Sequence, residues 1–177
     1  AAFDANIIAY DPYVSPERAE KLGVTMCSTL EELFSQSDIV SIHLPKTPDT
    51  KGLIDLDLLK LAQPHMLLIN AARGGIVVED DLVEALRNGF IAGAGIDVFD
   101  SEPTTESPLF DPSLNVVVTP HLGASTPEAQ DRAGIDIGKQ ILLALNDDFV
   151  PFALNLNAKG ANAVVTPFIS VAETCGR

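Results

Sequence analysis

The chain has 177 residues, of which 46% are hydrophobic, and its 25 Asp and Glu outnumber its 11 Lys and Arg to give a formal net charge of −14. This length corresponds to about one domain, and the apolar content excludes a disordered chain despite the large charge. The acidic surplus excludes a sequence-independent nucleic-acid binder, which needs a basic face, and no apolar run is long enough to span a membrane.

Short apolar runs rich in β-branched residues predict five strands, at residues 6–10, 39–42, 66–70, 92–98 and 116–119. Helices are predicted between them at residues 16–22, 30–36, 57–62 and 80–88. Nearly continuous apolar strands are typical of parallel sheets that are covered on both faces. Because the strands alternate with helices, the sequence predicts an α/β fold with a doubly wound parallel sheet.

The pattern changes after the fifth strand. Ser125, Thr126, Pro127 and Glu128 predict the start of a long helix, with proline in the first turn and an acid where the helix dipole favours one. This helix is predicted to end near Asn146, and no comparable strand follows it. We therefore expect it to leave the sheet or to pack at its edge.

In an open α/β sheet, ligands bind beyond the carboxyl ends of the strands. The residues found there, taken strand by strand, are Asp11, Pro45, Arg73, Asp97 through Glu102, and His121. An acid in the position of Asp11 can accept hydrogen bonds from the ribose hydroxyls of NAD and repel the extra phosphate of NADP. Taken alone, however, Asp11 is more simply explained as the opening residue of an Asp-Pro turn.

Arg73 precedes two glycines and can present a bidentate guanidinium to a carboxylate, although a surface arginine in a glycine turn explains it equally well. His121 can exchange a proton near neutral pH, and Glu102 can bond and orient its imidazole. Singly, a structural histidine and a solvated acid are the simpler explanations. The chemical hypothesis depends on all three lying at one edge of the sheet. His43 is expected to be buried, and His65 to lie at the opposite edge.

Two features concern the rest of the molecule. None of the 12 glycines forms G-x-G-x-x-G, the loop whose amides bind a dinucleotide pyrophosphate. Such a loop precedes an acid like Asp11 by about 20 residues, so we expect it upstream of Ala1, together with the first strand of the sheet. Cys27 and Cys175 form no disulfide framework and no zinc motif, which indicates a reducing compartment, the cytoplasm, and no metal.

Three motifs in order, NAARGG at 70–75, GIDVF at 95–99 with Glu102-Pro103, and TPHLGAST at 119–126, resemble the D-isomer-specific 2-hydroxyacid dehydrogenases. The resemblance runs from residue 1 to about residue 156. The segments YDPY at 10–13, HLPKTP at 43–48 and EAQDR at 128–132 are similar to the members of that family that oxidise a phosphorylated 2-hydroxy acid at the start of serine synthesis.

The resemblance implies NAD as cofactor and a role for each matching residue. Arg73 would bind the substrate carboxylate, Glu102 would orient the histidine, and His121 would be the acid and base. Asp11 would hold the adenosine ribose, and Asp97 would lie near the nicotinamide amide. The complete set of cofactor-binding residues implied in this way is Asp11, Leu44, Pro45, Ala71, Ala72, Arg73, Asp97, His121, Leu122, Gly123 and Ala124.

The resemblance also implies an organisation and partners. Residues 1–124 would form an incomplete Rossmann-type nucleotide-binding domain, 125–156 a helix and segment returning to a substrate domain, and 157–177 the start of a further domain. The complete protein would be a homo-oligomer, a dimer or tetramer, acting on a small 2-hydroxy acid. Alternatives are a glyoxylate or hydroxypyruvate reductase, a D-lactate-type enzyme, and a nucleotide-sensing regulator without catalysis. The 177 residues alone are expected to be inactive and to bind NAD weakly.

Overall fold

A computed structural model describes residues 4–153 of the chain, so the segment predicted to begin a further domain at 157–177 lies outside the described residues. Two compact units, Ala1–Gly123 and Ala124–Arg177, are distinguished. The strands are β1 Ile8–Ala9, β2 Thr25–Met26, β3 Ile39–Ile42, β4 Leu67–Asn70, β5 Gly93–Ile96 and β6 Val116–Val118. The helices are α1 Pro16–Leu22, α2 Leu30–Gln36, α3 Leu56–Leu59, α4 Glu79–Arg87 and α5 Pro127–Leu145.

The strands form two parallel sheets, one of β1 and β2 and one with the order β3-β4-β5-β6. This arrangement confirms the predicted α/β class. The standard doubly wound order is 3-2-1-4-5-6. The pair β1-β2 corresponds to strands 2 and 3 of that order, and β3-β4-β5-β6 to strands 4 to 6 with one further strand, while none of the described residues forms strand 1.

Most predicted elements are present, but some are shorter: the strand predicted at 6–10 is Ile8–Ala9, and the strand predicted at 92–98 is Gly93–Ile96. The short strand β2 was not predicted, because Thr25 and Met26 are too few to give a periodic pattern. The helix predicted at 57–62 is α3 at Leu56–Leu59. The expectation that every strand is covered on both faces is wrong for β3 and β6, where Ile39 is 62% and Val117 is 70% exposed. These two strands are the edges of the four-stranded sheet.

The core of the first unit lies around the central strand β4 and the helices that cover it. Leu68 of β4 and Leu59 of α3 are completely buried, and Leu82 of α4 is nearly so. Side-chain caps fix where the helices begin, since Thr29 Oγ1 accepts from the Glu32 amide at 3.1 Å and Asp55 Oδ1 from the Leu58 amide at 3.0 Å. The core therefore holds the strand ends that carry the candidate site.

Helix α5 belongs to the second unit and begins as predicted, with Thr126 Oγ1 accepting from the Ala129 amide at 3.2 Å. Its apolar side chains are largely exposed within the described structure, among them Ile137 at 62% and Leu145 at 75%. No strand follows it within residues 4–153. Every helix of that described range is too short or too polar to cross a membrane.

An ion pair joins α4 to a short 3-10 helix at Pro108–Phe110. Arg87 Nη2 lies 2.8 Å from Asp111 Oδ2, and Asp111 Oδ1 accepts from the Ser113 hydroxyl at 2.7 Å and from the Ser113 amide at 2.9 Å. The hydrogen bonds from Ser113, followed by that from Arg87, lower the pKa of Asp111 from 3.8 to about 2. The ionised carboxylate of Asp111 therefore stabilises the folded state at every pH at which it is ionised.

Because the pKa of Asp111 is lowered by folding, its contribution is complete above the ordinary carboxyl pKa and is lost as pH falls towards about 2. We expect Asp111→Asn to unfold at lower urea concentration than the unsubstituted protein at neutral pH. The gap between their urea midpoints should narrow as the pH falls from about 4 to about 2. A gap that stays constant over this range would contradict the assignment.

Candidate active site

The ends of the four strands of the larger sheet lie side by side. Ile42 of β3 pairs with Asn70 of β4, Asn70 with Ile96 of β5, and Ile96 with Val118 of β6. Each is the last residue of its strand. The loops that follow therefore emerge at one edge, and they carry Pro45, Arg73, Asp97 to Glu102, and His121. The predicted clustering of these loops at one edge is confirmed.

The side chain of Asn70 holds the turn that carries Arg73. Its Nδ2 donates to the Arg73 carbonyl at 3.1 Å, and its Oδ1 accepts from the Ala72 amide at 3.1 Å. Asn70 is only 2% exposed, so both bonds are sheltered from water. The Arg73 side chain is exposed and donates through Nη1 to the Ala72 carbonyl at 2.6 Å. The guanidinium thus keeps donors available for a ligand.

The two glycines after Arg73 are required by close packing. A Cβ at Gly74 would overlap the carbonyl oxygen of Phe99, so only glycine fits there without moving the backbone. Gly75 has a φ of +77°, in the left-handed region that favours glycine. The turn with Arg73 is therefore in direct contact with the loop after β5.

Glu102 and His121 form the predicted hydrogen bond, with 2.6 Å between Glu102 Oε2 and His121 Nδ1. The other oxygen, Oε1, accepts from the Phe99 amide at 2.8 Å. The bond from the Phe99 amide and then that from His121 lower the pKa of Glu102, so its carboxylate is ionised at neutral pH. With Nδ1 bound, Nε2 is the ring nitrogen left to meet a ligand, and 47% of the His121 side chain is exposed.

Asp97 fixes the backbone on both sides of His121. Its carbonyl accepts from the His121 amide at 2.9 Å. Its carboxylate accepts from the Thr119 hydroxyl at 2.5 Å, and from the amides of Leu122 and Gly123 at 2.7 Å each. His121 has a φ of +57°, an uncommon conformation for a residue with a side chain. These bonds hold the residue in that conformation.

The charge of Asp97 is maintained although the residue is buried. Burial favours the neutral form, but the Thr119 hydroxyl and the amides of Leu122 and Gly123 outweigh it and hold the pKa of Asp97 below its usual value. Its carboxylate oxygens are directed at the His121 turn. The structure therefore gives Asp97 a local structural role, and its predicted proximity to a nicotinamide amide stays a prediction.

The remaining residues predicted to bind a cofactor lie in both sheets. Asp11 is exposed at the end of β1, in the other sheet, and accepts from the Tyr13 amide at 2.8 Å. Its Asp-Pro turn is therefore real, as the simpler explanation requires. Leu44 is half-buried and Pro45 exposed in the loop after β3.

Ala71 and Ala72 open the Arg73 turn, and a Cβ at Gly123 would lie 3.9 Å from the Ala71 side chain. Among the residues predicted to bind a cofactor, Ala71 after β4 therefore lies next to Gly123 after β6. Ala124 begins the second unit. A pocket of about 500 Å³ lies against Glu102 and His121 and is lined mainly by apolar groups, including Phe99, Phe110 and Val118.

One expectation about the other histidines is wrong. His43 is exposed rather than buried, and its Nε2 lies 3.0 Å from Ser41 Oγ. The alternation along β3 places Ser41 and His43 on its exposed face and Ile42 on its buried face. His65 lies before β4, at the opposite edge from His121 as predicted, and bonds Asp38 Oδ1 at 2.6 Å.

Sequence reasoning missed the residues that hold the site together. Asn70 and Thr119 each end an apolar run, and a polar side chain in that place was the signal that could have indicated them. The roles of the Phe99 amide and of the pair between Lys46 Nζ and Asp100 Oδ1, 2.7 Å apart, have no such signal. They depend on contacts between distant parts of the chain.

We expect Asp97→Asn to lower the free energy of unfolding by about 1–3 kcal/mol, because its NH2 group cannot replace a carboxylate oxygen as acceptor. Thr119→Val is the matched control, since it removes one donor and leaves both amides bonded, at a cost of about 1 kcal/mol. Urea unfolding at neutral pH measures both variants. Equal losses in the two would show that the amide bonds do not hold the turn.

Comparison with known proteins identifies the family to which the chain belongs. The profile described as "D-isomer specific 2-hydroxyacid dehydrogenase, NAD binding domain" matches residues 1–123. The D-3-phosphoglycerate dehydrogenase of Mycobacterium leprae is 52% identical over 171 residues, which are 97% of this chain and 32% of that protein. The D-3-phosphoglycerate dehydrogenase of Bacillus subtilis is 40% identical over 177 residues, 99% of this chain and 33% of that protein.

The chain thus spans about one third of the length of these relatives. Among solved structures, the NAD-complexed D-isomer specific 2-hydroxyacid dehydrogenase of Lactobacillus delbrueckii ssp. bulgaricus has a TM-score of 0.73 and 30% identity, covering 87% of this chain and 50% of that one. The profile match covers more than half of the chain and includes the strand ends described above. The chain therefore belongs to the family of the D-isomer specific 2-hydroxyacid dehydrogenases, matched over the family's NAD binding domain.

Proposed function

We propose that the complete protein is an NAD-dependent dehydrogenase that oxidises a D-2-hydroxy acid, with D-3-phosphoglycerate as its substrate. The observation that carries the proposal is the 2.6 Å bond between Glu102 and His121 at the same sheet edge as Arg73. The choice of D-3-phosphoglycerate is supported by relatives of that name at 52% and 40% identity.

Arg73 supports the proposal as the group that binds the substrate carboxylate. Its guanidinium can form two parallel hydrogen bonds to a carboxylate, a geometry that also orients the bound acid. The turn that carries it is fixed by Asn70 on one side and by the close packing of Gly74 on the other. A fixed cation reduces the freedom that the substrate loses when it reacts.

His121 supports it as the group that removes the proton of the substrate hydroxyl. Nδ1 is bound to Glu102, so Nε2 of the neutral ring accepts the proton as the C2 hydrogen leaves with its electron pair. The ionised Glu102 beside it stabilises the imidazolium that results. In the reverse direction the imidazolium returns the proton to the oxygen of the oxo acid.

The residues present fit NAD as the group that supplies the hydride chemistry, by accepting the hydride at its nicotinamide ring. One oxygen of Asp11 is used by the Tyr13 amide, and the carboxylate is exposed so that it can also accept from a ribose hydroxyl. Gly123 packs closely on Asp97, since a Cβ there would lie 2.9 Å from the Asp97 carboxylate, and this brings its backbone next to Ala71. Asp11, Ala71 and Gly123 would hold the cofactor.

The proposal includes a compartment and an assembly for the complete protein, the reducing cytoplasm and a homo-oligomer. Cys27 supports the reducing compartment, since it is a free and buried thiol. Light scattering of the complete gene product measures the oligomeric state.

In the complete gene product, we expect His121→Ala to lower kcat by about 10²–10⁴-fold, because the group that takes the hydroxyl proton is lost. Binding of NAD, measured by calorimetry, should persist. His65→Ala is the matched control, because His65 also bonds a carboxylate at 2.6 Å but lies at the opposite edge of the sheet. Turnover that survives in the His121 variant would remove this residue from the mechanism.

We expect Arg73→Lys to raise the KM for the 2-hydroxy acid by roughly 10- to 100-fold, since an ammonium group cannot form the bidentate pair with a carboxylate. Initial rates at saturating NAD measure this change. Arg87→Lys is the control, because Arg87 pairs with Asp111 on the structural contact described above. An unchanged KM in the Arg73 variant would mean that another cation binds the carboxylate.

A further inference from the structure

Lys46 connects the loop after β3 to the loop after β5. Its Nζ lies 2.7 Å from Asp100 Oδ1, and the side chains of the two residues are 38% and 56% exposed. Both groups lie directly over Gly75. A Cβ at that position would be 2.7 Å from Lys46 Nζ and would overlap Asp100 Oδ1. The Lys46–Asp100 pair therefore covers the backbone two residues after Arg73.

Further bonds join the same three loops. The Gly52 amide donates to the Gly75 carbonyl at 2.8 Å, so the Lys46 loop also binds the Arg73 turn through its backbone. The Asp100 amide donates to Glu79 Oε1 at 2.9 Å. The preceding residue, Phe99, donates through its amide to Glu102. The pair thus lies between the turn of Arg73 and the loop of Glu102.

We propose that Lys46 is a positioning residue which, through its ion pair with Asp100 over Gly75, fixes the Arg73 guanidinium relative to Glu102 and His121. Its kinetic consequence rests on the proposed function, because Arg73 and His121 act on one substrate only there. Lys46 acts through Arg73 and does not contact the reacting atoms itself, since its ammonium group is bound by Asp100.

The proposed role of Lys46 is to position Arg73 and not to stabilise the fold. An ion pair with both partners exposed contributes little to the stability of the fold. Binding of the substrate is far more sensitive to the position of Arg73, because a bidentate pair with a carboxylate needs both N–H groups of the guanidinium to be aligned. Pro45, in the same loop, is held separately by a bond from the Thr50 hydroxyl to its carbonyl at 2.6 Å. Loss of the ammonium group is therefore expected to affect the Arg73 turn.

The test uses Lys46→Met in the complete gene product. We expect the KM for the 2-hydroxy acid to rise about tenfold with little change in kcat, in the melting temperature or in the Kd for NAD. Lys46→Arg should restore the KM, because it keeps a cation near Asp100. Asp100→Asn should raise the KM to a similar extent, and the double variant should be no worse than either single one.

Lys60→Met is the matched control, because Lys60 forms an exposed pair with Asp57 at 3.1 Å, with Lys60 44% exposed, away from these loops. Its KM should equal that of the unsubstituted protein. A Lys46 variant with an unchanged KM, in a protein that does oxidise a 2-hydroxy acid, would overturn the inference while leaving the proposed function intact.

A second measurement does not depend on activity. Amide hydrogen exchange at Gly52, whose N–H bonds the Gly75 carbonyl, should accelerate several-fold in Lys46→Met and not in Lys60→Met. If the unsubstituted protein oxidises no 2-hydroxy acid, the proposed function fails and the exchange rates still decide whether Lys46 holds the turn. Equal exchange in both variants would overturn the inference.

Discussion

The candidate site depends on the parallel register of β3 to β6. Because the last residues of the four strands are paired with one another, the loops that follow them begin at the same edge of the sheet and lie close together. An offset in any of these pairings would move a whole loop along the strand direction by about 3.3 Å for each residue of slip. Hydrogen bonds such as that between Glu102 and His121 tolerate only a few tenths of that distance. The buried apolar side chains of β4 and β5 fix this register, and with it the position of the polar groups in the loops.

Much of this arrangement could be predicted from the sequence. Apolar runs separated by helices specify a parallel α/β sheet, and the rule that ligands bind at carboxyl strand ends then selects Arg73, Glu102 and His121. The bond between Glu102 and His121 was predictable because both residues lie just beyond adjacent strands. Their roles in a reaction came from the resemblance of three motifs, and these roles remain proposals.

The rest could not be predicted because it depends on contacts across long sequence separations. Lys46 and Asp100 are 54 residues apart, and nothing in either segment indicates the other. The bonds from the Asp97 carboxylate to the amides of Leu122 and Gly123 span about 25 residues, and they were not indicated by the sequence around either segment. The exposure of His43 could not be predicted either, because its polarity alone does not show which face of β3 is covered.

The contact of Gly74 with the Phe99 carbonyl has a consequence for how this sheet edge can change over evolution. Any side chain at position 74 would require the chain leaving β5 to shift, and that shift would carry the Phe99 amide away from Glu102. Substitution of Gly74 in the NAARGG segment is therefore constrained by Phe99, 25 residues further along the chain. A protein engineer who transplants the arginine turn into another scaffold would need to transfer both segments together.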